Sequence, residues 1–148
     1  MLIQQLNRTD AERVQIIFLN TDGGGSITTG LGVALNAAGN SIDGVSATKY
    51  AATTLKGFAG IAVQDVAINS YGRATIWGYV NSVQVSGVGT SITVTAGDTL
   101  KPGAVAGTFF SSLVNEAIST LLYKYVYVAS TLTVSANPVW VAGVVRAL

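Results

Sequence analysis

The chain has 148 residues, 8 Lys+Arg against 7 Asp+Glu, a formal net charge of +1, and neither His nor Cys. This excludes imidazole bases and Ser-His-Asp relays, thiolate nucleophiles, disulfide frameworks and His- or Cys-ligated metals. Near-neutral charge without a basic run sets nucleic acid aside as the main partner, and a 49% hydrophobic content is too high for a disordered chain.

In chain order, residues 1–12 are polar and carry Arg8, Asp10 and Glu12, which suits an extended N-terminal arm before a β body over 13–148. Arg13–Asn20 alternates Val14, Ile16 and Phe18 against Gln15, Ile17 and Leu19 and predicts a strand. Thr21–Gly25 (TDGGG) predicts a hairpin turn. Ile27–Leu35 resumes as a strand with Gly30 and Gly32 inside it, and Asn36–Asn40 is a turn. Ser41–Lys56 reads as loop with one short strand, Gly57–Gln64 as a strand, and Asp65–Gly72 as a turn-rich connection. Arg73–Val85 is the longest expected strand. One face carries Thr75, Trp77, Tyr79, Asn81, Val83 and Val85; the other carries Ala74, Ile76, Gly78, Val80, Ser82 and Gln84. Gly78 marks a place for a bend.

After a Gly87–Gly89 turn, Ser91–Ala96 predicts a strand, Thr95–Gly103 a tight turn, and Ala104–Phe110 a short extended segment. Ser112–Leu122 predicts the single helix, because Leu113, Val114, Ala117, Ile118, Leu121 and Leu122 form one apolar stripe. Tyr123–Val128, Leu132–Ala136 and Val139–Leu148 close the chain as strands. Val, Thr and Ile supply 45 residues, a β-branched composition. The expected fold is one all-β domain, a small barrel or sandwich of eight or nine short strands with one short helix at about 112–122.

No apolar run near Met1 has signal-peptide length, and no unbroken 18-residue apolar window suits a spanning helix. The expectation is no targeting segment and no membrane partner; an outer-membrane barrel would need a cleavable signal and aromatic girdles. The seven acids are scattered, without acid/base spacing, and read as turn acids. Asp22–Gly25 lacks both the P-loop pattern and the acids of an EF-hand. Thr95–Gly103 (TAGDTLKPG) is similar to a turn of biotinyl/lipoyl carrier domains, but no tetrapeptide for the modified Lys occurs. Shared turn chemistry explains it: flexible Gly97 and Gly103 around a rigid Pro102. No catalytic, cofactor-binding or metal residues are expected, and the chain reads as a non-enzyme.

Two features remain. Only fifteen ionic side chains serve a surface of about 7,000 Å² expected for a folded chain of this size, which points to burial between copies or on a larger assembly. Aromatic residues also recur at period two, Trp77/Tyr79 and Tyr123/Tyr125/Tyr127. With Phe58, Tyr71 and Trp140 these form the candidate interface set.

Leu55–Val85, Thr95–Gly107 and Val139–Leu148 together resemble bacteriophage head decoration (cement) and related minor capsid proteins, over about half of the chain. The resemblance implies a small, all-β, catalytically empty structural virion protein. It implies a homotrimer on the outer capsid surface, with the major capsid protein as partner and assembly in the host cytoplasm. A head-fibre or tail-associated subunit with a host- or glycan-binding role is the alternative, favoured if the aromatic ladders face solvent.

Overall fold

A computed structural model describes residues 13–36, 45–50, 57–86, 92–102, 109–111, 126–134 and 139–147. The described residues are all-β, with eleven strands and no helix. They are β1 (Val14–Asn20), β2 (Gly32–Leu35), β3 (Ser46–Lys49), β4 (Phe58–Ala62), β5 (Tyr71–Val85), β6 (Ile92–Val94), β7 (Thr99–Pro102), β8 (Phe109–Ser111), β9 (Val126–Val128), β10 (Leu132–Val134) and β11 (Val139–Arg146). The expected arm 1–12 and the expected helix Ser112–Leu122 lie outside the described residues. Eleven strands exceed the expected eight or nine because short pairings such as β7 and β8 hold only three or four residues.

Two closed circuits share one strand. The order β1-β3-β2-β4-β5 returns to β1 through the β1–β5 pairing, forming a five-stranded barrel. The order β5-β11-β9-β7-β8 returns to β5 through a single residue pair, Val85 with Phe109. A two-stranded ribbon, β6 with β10, completes the body. β5 has 15 residues and so spans about 50 Å, long enough to serve both circuits. Tyr71–Trp77 pair with β1, and Ala74 and Thr75 pair with β4. From Trp77 to Val85 the partner is β11.

Each circuit has its own core. Phe18, Val33, Ala47, Ala62 and Ala74, one from each barrel strand, fill the barrel with Ile27, Leu31 and Val66. A barrel of five strands leaves room only for such side chains. Val80, Val83, Val85, Leu100, Val126, Val128, Val141 and Val145 form the second core, joined by Ala34, Phe58 and Ile61 from the opposite faces of β2 and β4. Those two strands are therefore covered on both sides, and every residue of β4 is buried. This is why Phe58–Ala62 shows no polar alternation. Gly30 links the circuits: its N–H donates to the Ala62 carbonyl and its carbonyl accepts from Gln84 N–H, both at 2.9 Å.

β5 corrects the expected two-face reading. Gly72, Ala74, Ile76, Gly78 and Val80 point inward, but beyond Asn81 and Ser82 the inward residues become Val83 and Val85. The register explains the switch. Val83 faces Val141 and Val80 faces Gly143, so β5 carries one extra residue there, a bulge that reverses the side-chain phase. Trp77 and Tyr79 consequently lie on the side opposite Val83 and Val85. Gly78, at φ +103°, occupies the expected bend.

Two turn readings also change. Thr21–Gly25 is a tight turn but not a hairpin, because β3 lies between β1 and β2. Only the first part of Thr95–Gly103 is a turn; Thr99–Pro102 pairs as β7 with β8 and β9. Asp98 closes the turn by accepting Thr95 N–H at 2.8 Å, while Gly97 N–H donates to the Val128 carbonyl at 2.9 Å.

Two substitutions test this packing. A Cβ at Gly60, whose φ is +147°, would stand 2.4 Å from the Thr75 carbonyl oxygen. Gly60→Ala is expected to cost on the order of 3 kcal/mol in urea unfolding, because backbone must move. The Thr75 hydroxyl is fully buried and has no hydrogen-bond partner. Thr75→Val is expected to raise stability by about 1 kcal/mol in the same assay, since it removes an unsatisfied group at constant shape.

Candidate functional site

The outer face of β5 and its neighbours gathers three of the eight predicted interface residues, Trp77, Tyr79 and Tyr127. Val14 of β1, Trp77 of β5 and Arg146 of β11 are register partners in one row. Tyr79 of β5, Val144 of β11 and Tyr127 of β9 form the next. Cross-strand neighbours of this kind stand about 5 Å apart and touch directly. The Arg146 guanidinium lies 5.4 Å from the ring centres of both Trp77 and Tyr127, and the Arg13 guanidinium lies 5.7 Å from that of Tyr79. Trp77 keeps 37% of its surface exposed. Beyond a second register shift, where Val14 pairs with Trp77 but Gln15 with Thr75, and beyond fully buried Thr75, come exposed Arg73 and Tyr71, with Ile17 of β1 paired to Arg73. Tyr71 and Ile17 are 62% and 64% exposed.

The other candidates separate from this face. Phe58 points into the second core, with its ring 4.9 Å from that of Tyr50, and is not available to a partner. Trp140 is exposed at the far end of β11, and its Cδ1 would stand 3.2 Å from a Cβ at Gly30. Tyr123 and Tyr125 lie outside the described residues. Period two in the sequence pointed to Trp77, Tyr79 and Tyr127. It did not point to the arginines, which reach the face from the start of β1 and the end of β11.

The described carboxylates are engaged elsewhere, in turns. Asp22 accepts Gly24 N–H at 2.7 Å and Lys49 N–H at 2.9 Å, with the Lys49 Nζ at 3.9 Å. Its neighbour Asn20 is fully buried and donates to the Gly25 and Val66 carbonyls. Gly24 and Gly25 thus spend their N–H donors on Asp22 within the turn. Asp65 Oδ1 accepts both Thr29 N–H at 2.7 Å and Thr29 Oγ1–H at 2.8 Å. Among the described residues no three acids group as metal ligands.

A scan of known families finds none that matches this chain, and no curated protein matches it. Among solved structures, the head fiber gp8.5 N base of bacteriophage phi29 shares the fold. The TM-score is 0.55 at 18% identity, covering 92% of this chain and 96% of that one. At that identity the likeness is one of fold, extending over nearly the whole of both chains.

The Asp65 contacts carry a pH dependence. Backbone and hydroxyl donation from Thr29 hold the Asp65 carboxyl below its ordinary value of 3.8. A depressed native pKa means that the contact stabilises the fold fully above that ordinary value and is lost as pH falls through the native one. The melting-temperature advantage of wild type over Asp65→Asn is therefore expected to stay constant from neutrality to about pH 5 and to shrink below pH 3.8.

Proposed function

We propose that this chain is a structural protein of a bacteriophage head and that its β body is the base by which a head fibre sits on the shell. The observation that carries the reading is the fold shared with a phage head fibre base across 92% of this chain and 96% of that one. The outward placement of Trp77, Tyr79 and Tyr127 supports it, because a buried ladder would have been spent on the core. The face is a broad sheet surface, the shape that suits attachment to another protein.

A second reading is a decoration or cement subunit that clamps the expanded shell. The scarcity of ionic side chains, fifteen in 148 residues, favours it, since a cement subunit hides much of its surface against copies and shell. Either reading takes the major capsid protein as partner, with a homotrimer as the working form, and neither gives the chain a cofactor, a nucleic-acid partner or a catalytic step.

The test is co-sedimentation of the purified protein with heads of the cognate phage assembled without it. Saturable binding to heads is expected, at a fixed number of copies, together with a discrete trimer by light scattering. Rupture of the heads on heating then separates the readings: an unchanged rupture temperature indicates a fibre base, and a rise indicates cement. Absence of binding to the heads overturns both.

A further inference from the structure

We infer that the outer face of β5 is the docking surface and that its partner is an acidic polypeptide segment, carboxylate side chains set among apolar ones. The identification of that segment with the head shell rests on the function proposed above. Arg13 and Arg146 both reach this face, so it carries two positive charges in a chain whose formal net charge is +1. No described carboxylate pairs with either of them. The described ion pair, Lys49 with Asp22, lies at the Thr21–Gly25 turn, and Asp65 and Asp98 are bound into their own turns.

The guanidinium positions define the chemistry. The Arg146 guanidinium lies over the rings of Trp77 and Tyr127, and that of Arg13 over the ring of Tyr79. These cation–π contacts do not use the N–H fork, the part that binds a carboxylate bidentately. Beside them stand exposed Val14 and Trp77. Exposed Trp, Tyr and Arg on a flat surface is the composition of a protein interface centre. Two guanidiniums held beside aromatic rings complement a pair of carboxylates. Tight binding to a nucleic-acid backbone commonly uses six or more phosphate contacts (roughly 6–10).

The experiment measures affinity for cognate heads assembled without the protein, from 50 to 500 mM NaCl, for wild type and for the Arg13→Gln/Arg146→Gln variant. The expected result is wild-type binding that weakens with salt, and at least tenfold weaker binding with a flatter salt dependence in the variant at unchanged melting temperature. Arg146→Lys keeps the charge and loses the fork; a drop of about threefold is expected, and it serves alone if the double variant does not fold. Wild-type affinity in the folded variants overturns the inference while leaving the head-binding reading intact. A wild type that binds no heads overturns that reading and the shell assignment together. A short DNA duplex that binds wild type at 150 mM NaCl and competes with heads assigns the face to nucleic acid and overturns the acidic-polypeptide partner.

Discussion

The structure depends on β5 belonging to two sheets at once. A strand can present one face to a core and the other to solvent, and its inward set is fixed by parity. β5 serves two cores in succession, with Ala74 in the barrel and Val80, Val83 and Val85 in the second circuit. The bulge at Asn81–Ser82 makes this possible by shifting the phase where β11 runs from Gly143 to Val141. Without that extra residue Val83 and Val85 would turn outward beside Trp77 and Tyr79, and Ser82 and Gln84 would enter the core.

The same constraint produces the candidate face. β5 shows its outer side at Trp77 and Tyr79, where the barrel and the second circuit adjoin, so strands from both contribute to one surface: Val14 and Arg13 from the β1 side, Val144 and Arg146 from β11, Tyr127 from β9. Such a surface is rigid because each contributing strand is held from below by a packed core. Rigidity lowers the ordering cost of docking, which matters for a protein with few charges to steer or hold a partner. Cation–π contacts also hold Arg13 and Arg146 beside the aromatic rings before any partner arrives.

The turns show where the polar residues went. Asp22, Asp65 and Asp98 each close a local loop by accepting backbone N–H groups, and buried Asn20 ties the Gly25 and Val66 carbonyls together. In a chain with so few ionic groups, committing the described carboxylates to architecture leaves the arginines on the β5 face without a counterion among the described residues. The charge asymmetry of the surface follows from this division of labour.

Much of the fold was legible in residue order alone. β-branched composition and alternation located β1, β5, β9 and β11 within a few residues, since period-two burial is a local property of strands; β4 was legible only as a short apolar run. The aromatic members of the outer face were legible for the same reason. Pairing was not. That Thr21–Gly25 joins strands separated by β3, that Thr99–Pro102 is a strand, and that two closed circuits share β5 all depend on contacts between residues distant in the chain. The assembly of Arg13, Arg146 and Trp77 on one face, and the inward turn of Phe58, are likewise tertiary. Local sequence determines which residues alternate. Only the packed structure decided which side of each strand a core would claim, because one bulge reverses that choice for every residue beyond it.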